Sequence, residues 1–205
     1  MEKPNPAKPR SATATPADTK PPAQPAAPVP PLFRRIDWIT FAVTALLIFA
    51  GYLYTLAPDV TLEDSGELAV GSFYAGVPHP PGYPVWTLYT WLFTRILPFA
   101  NVAWRVGVSS AFAGAFACGL IGLMVSRGSS MILESIAELK DLDKRWESAI
   151  CMVSGYVAAM LMGFNGFMWS QCVIVEVYPF SLLSMVGVLC LLLRWMYAPH
   201  QRRYL

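Results

Sequence analysis

Charge is scarce in this chain. Only 14% of its 205 residues are charged, against about 25% in a soluble domain, and the stretches 38–58 and 106–126 hold no charge at all. Lys and Arg number 15 and Asp and Glu 13, so the net charge is too small to argue for nucleic acid as a partner. Histidine occurs twice. The four cysteines, Cys118, Cys151, Cys172 and Cys190, sit singly inside apolar blocks and lack metal-ligand spacing. They read as small packing residues and say little about redox compartment. No internal repeat is present. A cleaved signal peptide is not expected either. The first apolar run starts only near residue 38, and the Phe33-Arg34-Arg35-Ile36 stretch before it leads into a run long enough to be a retained anchor.

The chain is rich in apolar residues: 55% are hydrophobic, and the mean hydropathy is +0.45. They fall in long blocks rather than amphipathic stripes, which predicts an all-α, polytopic transmembrane helical bundle. Residues 1–31 contain ten prolines and no apolar periodicity. The expectation there is a disordered, partly polyproline cytoplasmic tail ahead of a transmembrane domain over 32–205. The first span is predicted at 38–58, 21 residues or roughly 31 Å of helix, about one hydrocarbon thickness. Arg34 and Arg35 precede it and acids follow, so the positive-inside rule places the N-terminus in the cytoplasm and the next loop outside. Further spans are expected at about 84–97, 106–126, 148–168 and 177–195. The third carries two small-residue rows, Ala111/Ala115/Gly119 and Gly114/Cys118/Gly122, which let helices approach closely. Arg127 to Glu147 is a charged connector with helical character around 132–139. Arg95 and Arg105 are expected to be cytoplasmic anchors. Five crossings from a cytoplasmic N-terminus conflict with the basic C-terminus, and they would put Glu176 opposite the first loop.

That first loop concentrates the chain's chemistry. Glu63, Asp64 and Glu67 are three of the thirteen carboxylates, and His79 stands among Pro78, Pro80, Pro81 and Pro84 shortly after. A short interfacial helix is expected from Thr61 to about Gly76, with Thr61/Asp64 and Asp64/Glu67 each spaced as a capping box. Residues before proline are pushed to extended geometry, so 79–84 is not helical. Asp64 and Glu67 share a helix face. Such a pair suits general-base work, metal binding or orientation of a hydroxyl nucleophile, and it also suits plain helix capping. His79 in its stiff loop suits contact with a phosphate or a structural turn. Glu176, alone between apolar runs, is a site candidate or a helix-boundary residue. The residues alone leave open a non-catalytic membrane protein or transporter component that uses these acids to bind ions or a partner.

Taken in order, Leu56-Ala57-Pro58, Asp64-Ser65-Gly66-Glu67, His79-Pro80-Pro81-Gly82-Tyr83-Pro84, Phe167-Met168-Trp169-Ser170-Gln171 and Glu176-Val177-Tyr178 resemble the N-terminal part of the protein O-mannosyltransferase-like membrane family. The resemblance covers roughly 38–197. It implies a GT-C-like N-terminal module whose extracytoplasmic first loop contributes to the active site. It also implies a polyprenyl-phosphate sugar donor, often mannose, and an acceptor hydroxyl on protein or glycan. Asp64 and Glu67 are the catalytic candidates. His79, Tyr83, Glu176 and Tyr178 are the candidates for substrate binding. No metal ligands are assigned, although a divalent ion is compatible with the acids. Better-known members carry an adjacent Asp-Glu pair, where this chain has Glu63-Asp64 and then Glu67. Members are also longer, so the chain is expected to be a fragment, a truncated reading frame or one part of a split enzyme.

Overall fold

The computed structural model describes residues 30–61, 64–139 and 142–199. From Pro31 on, the described residues belong to one compact unit. The expected proline-rich tail, Glu63 and the terminal basic residues His200, Arg202 and Arg203 lie outside the described residues.

Among the described residues seven α-helices follow in order: α1 Arg35–Tyr54, α2 Ser65–Tyr74, α3 Pro84–Ile96, α4 Val102–Ser135, α5 Lys144–Gly163, α6 Gly166–Cys172 and α7 Tyr178–Tyr197. A 3₁₀ turn, Ala137–Leu139, lies between α4 and α5. No strand occurs among the described residues. Four helices, α1, α4, α5 and α7, are long and apolar enough to cross a membrane. The segment expected as a second span is α3, whose 13 residues reach only roughly 20 Å. That is well short of an apolar layer about 30 Å thick. Pro84 starts α3 at its first turn, where a missing N–H costs nothing, and its C-cap Leu97 returns to extended backbone. The third span grows at both ends into the 34-residue α4, which absorbs the first part of the charged connector. The fourth stops at Gly163, and α6 follows after the turn at Phe164 and Asn165.

α4 is the axis of the bundle. It packs on α1, α5 and α7, and α3 leans on its first half. Both predicted small-residue rows are buried along it. Lipid tails are as apolar as leucine, so close contact rather than water exclusion must hold such helices together. The closest approach of one helix backbone to another is at Gly122 and Gly155, where a Cβ on Gly155 would stand 2.5 Å from the Gly122 carbonyl oxygen.

The two ends of the bundle differ. At one end, fully buried Asp37 accepts hydrogen bonds from Ser126 Oγ (2.7 Å) and from the Arg34 backbone N–H (2.7 Å). Arg34 pairs with Glu147 at 2.6 Å, which joins α1 to α5. At the other end, Asn101 caps α4 by accepting from the Trp104 N–H, and its amide donates to the Pro58 carbonyl after α1. α2 and α3 gather at this second end.

Candidate functional site

α2 is fixed by its buried face. Leu68 and Ala69 pack with Trp86 of α3, Ala103 and Val106 of α4, and Val175 ahead of α7. Ser72 and Thr90 hydroxyls meet at 2.7 Å in the α2–α3 contact. Neither expected capping box forms. The helix begins at Ser65, whose hydroxyl accepts from Thr61 N–H and donates to the Thr61 carbonyl. Asp64 occupies the N-cap position without making a cap hydrogen bond. Both carboxylates on this turn are therefore directed to something other than the helix end.

Their common neighbour is His79. α2 ends at Ala75 in left-handed geometry, and the Gly76 N–H returns to the Gly71 carbonyl. The chain then doubles back, and the Pro78 ring comes to lie over Gly71. The loop closes with the Gly82 N–H donating to the His79 carbonyl at 2.9 Å. Gly82 has φ +87°, a value that favours glycine, and the turn leads into Tyr83, also left-handed at φ 43°.

Doubling back places His79 against the Glu67 carboxylate at two points. The His79 backbone N–H donates to Oε1 at 2.6 Å, and ring Nδ1 lies 3.1 Å from Oε2. An ionised carboxylate only accepts, so the proton sits on Nδ1. Ring Nε2 then faces Asp64, 3.8 Å from Oδ2, which is too far for a direct hydrogen bond. The backbone N–H of His79, and then its ring, hold the Glu67 carboxyl below its ordinary value of 4.5. One donor atom each from Asp64, Glu67 and His79 lies within 4.8 Å of the other two, so these three are the residues that would hold a divalent ion. Asp64 and Glu67 are exposed and His79 is half-buried.

The other predicted residues extend outward from this group. The Tyr83 ring packs edge-on to His79 at 5.8 Å and to Trp86 at 6.4 Å. Trp86 Nε1 donates to the backbone carbonyl of Glu176 at 3.3 Å. Glu176 is buried, and Ser110 Oγ of α4 lies 3.2 Å from its carbonyl and 3.3 Å from its N–H. Its carboxylate accepts the Val177 N–H at 3.1 Å, at the start of α7. Glu176 thus stands at the same end of the bundle as Asp64, not opposite it. Tyr178 opens α7 and is exposed. Trp86 and Ser110, which anchor the Glu176 backbone, carried no signal in the sequence beyond their residue types.

Arg95 and Arg105 do not behave as simple anchors. Arg95 donates to the Phe73 carbonyl in the last turn of α2 and lies 5.2 Å over the Phe73 ring. Arg105 donates to the carbonyls of Thr94, Phe99 and Ala100. Both therefore satisfy carbonyl groups at or near the ends of the short helices, where a cation complements the helix dipole.

A bundle of spanning helices with two carboxylates and an imidazole gathered at one end defines an integral membrane protein with a candidate acid–base site. The chain belongs to the family described as the N-terminal domain of protein O-mannosyl-transferase TMEM260, which matches residues 64–205. The protein O-mannosyl-transferase TMEM260 of Mus musculus is 30% identical over 142 residues, covering 69% of this chain and 17% of the relative. The protein O-mannosyl-transferase tmem260 of Dictyostelium discoideum is 40% identical over 98 residues, covering 45% of this chain and 12% of the relative. The chain thus spans less than a fifth of the length of these relatives. No solved structure matches.

Proposed function

We propose that this chain carries the first-loop part of the active site of a GT-C-type membrane glycosyltransferase. The enzyme transfers a sugar, mannose in our reading, from a polyprenyl-phosphate donor to an acceptor hydroxyl on protein. The observation that carries the reading is the convergence of Asp64, Glu67 and His79 at one end of a membrane bundle, in a stretch that the family match covers.

In this mechanism the Asp64 carboxylate takes the proton from the acceptor hydroxyl. The oxygen attacks the anomeric carbon, a new C–O bond forms with inversion, and the bond to the polyprenyl phosphate breaks with its electron pair leaving on the phosphate. His79 faces the site through Nε2, which can donate to the charge developing on the leaving phosphate only when that nitrogen also carries a proton, with Nδ1–H staying on Glu67. Glu67, already holding the His79 N–H and Nδ1–H, positions the imidazole and does not itself take the proton. Tyr83, Glu176 and Tyr178 line the approach from the α3 and α7 side.

Orientation follows from the count of crossings. With α3 on the surface, four spans return the chain to its starting side. Arg34, Arg35, Lys144, Arg145 and Arg194 then all lie at one face of the membrane, as the positive-inside rule requires for the cytoplasm. The Asp64 loop and Glu176 lie at the other, extracytoplasmic face.

The test is sugar transfer from polyprenyl-phosphate mannose to an acceptor protein in membranes that hold the full-length enzyme. Asp64→Asn keeps size but removes the proton acceptor, and transfer should fall by roughly 10²–10⁴ at matched expression. Undiminished transfer in that variant would return Asp64 to a structural role.

A further inference from the structure

At the end of the bundle that holds Arg34 and Glu147, a cleft of about 330 Å³ opens between the segment leading into α1, the last turns of α4 and the end of α7. Met124, Met131, Leu193 and Met196 make its walls apolar. Arg127 is the one charged residue among those lining it. Its side chain is 13% exposed. Nη1 reaches Ser130 Oγ at 3.2 Å and stands 3.8 Å from the exposed carboxylate of Glu134. The Nε–H is buried and has no hydrogen-bond partner among the described residues. A buried guanidinium donor without an acceptor is costly, and an anionic oxygen is the partner it suits best.

The depth of the cleft matters as well. Arg105 sits near the opposite end of α4. An apolar layer takes about 20 helical residues, which from Arg105 reaches the neighbourhood of Met124 and Val125. Arg127 therefore stands at headgroup level, while Met124 and Leu193 lie at the edge of the hydrocarbon. A free phosphate would gain nothing from these apolar walls. A molecule with a phosphate at one end and a hydrocarbon chain at the other meets both parts of the cleft.

We propose that this cleft seats an anionic phospholipid, with its phosphate on the Arg127 guanidinium and an acyl chain against Met124 and Leu193. The site lies at the end of the bundle away from Asp64 and does not depend on the transferase reading. Gly128 provides a clean way to close it, because this cleft-lining residue has nothing within 4 Å of where a Cβ would stand. A Cβ there stands in open space, so a leucine can be introduced at the cleft wall without a clash at that atom.

The experiment reconstitutes the full-length protein in nanodiscs that contain phosphatidylglycerol or phosphatidylcholine, each with a photoreactive diazirine on its acyl chain, and maps labelled peptides by mass spectrometry. Phosphatidylglycerol should label the peptides holding Met124 and Leu193 roughly fivefold more than phosphatidylcholine, the factor that one basic residue near an anionic leaflet contributes. Arg127→Gln should bring the two lipids to equal labelling. Gly128→Leu should suppress labelling by both, and it carries the test alone should Arg127→Gln fail to fold. Equal labelling of the wild-type protein by the two lipids would overturn the proposal. So would undiminished labelling in Gly128→Leu, or displacement of the lipid by millimolar inorganic phosphate.

Discussion

Glu67 is the residue whose role the geometry changes most. Spacing on a helix pairs it with Asp64, but its two oxygens are engaged by the His79 N–H and Nδ1–H. A group that acts through another should show coupling in a double-mutant cycle. We therefore expect Glu67→Gln and His79→Ala to be non-additive for sugar transfer, with the double variant no slower than His79→Ala alone. Additive losses would mean that Glu67 touches substrate independently. The same contact has a pH signature. The folded-state pKa of Glu67 is lowered below 4.5, so the contact is fully present above that pH and is lost as pH falls through the lower folded value. The side-chain carboxyl carbon of Glu67, followed by NMR in detergent, should titrate with its midpoint below 4.5. A midpoint at or above 4.5 would show that Glu67 does not hold the loop. The bonds to His79 take one lone pair on each Glu67 oxygen, so an ion held by Asp64, Glu67 and His79 would compete with the contact that positions the ring. Transfer is expected to persist after chelation. Its loss on chelation, with recovery on adding Mn²⁺, would put an ion between Asp64 and His79.

At the scale of elements, α4 and α5 meet backbone to backbone, glycine on glycine. Leucine at Gly155 would drive a side chain into the Gly122 carbonyl, with Thr40 and Ser126 also close. Overpacking of this kind costs about 1–3 kcal/mol, and the thermal unfolding temperature of Gly155→Leu should drop while that of Gly128→Leu holds. Equal stability in both would mean that α4 and α5 do not meet at these positions. The small-residue rows were legible beforehand because period and residue size together mark a close-packed face. The start of α3 was legible too, since Pro84 and the prolines before it rule out helix upstream. Its length was equally readable, but aromatic residues such as Trp86 and Trp91 suit a bilayer and its surface alike, so composition does not separate a short crossing from a surface helix. The cap at Asp64 misled for a different reason. Capping spacing is satisfied locally, and nothing local shows that a carboxylate has a better donor twelve residues away. The His79–Glu67 contact is made by the turn at Ala75 and the fold-back of Pro78 onto Gly71, which are tertiary facts.

At the scale of the whole molecule, everything functional depends on α3 staying on one face. That places the Asp64 loop, the α3–α4 turn and Glu176 together, and the Arg34–Glu147 pair at the far end. The four cysteines are buried, so the native background for thiol labelling is low. Val70 on α2, Phe99 in the turn after α3 and Trp146 at the start of α5 are exposed reporter positions. The direct measurement is to place single cysteines at these three sites and treat intact cells with a membrane-impermeant thiol reagent. Val70→Cys and Phe99→Cys should both be labelled from outside, while Trp146→Cys should be labelled only after permeabilisation. Labelling of Val70→Cys outside with protection of Phe99→Cys would mean that α3 crosses, and it would contradict the arrangement that brings Glu176 to the same face as Asp64.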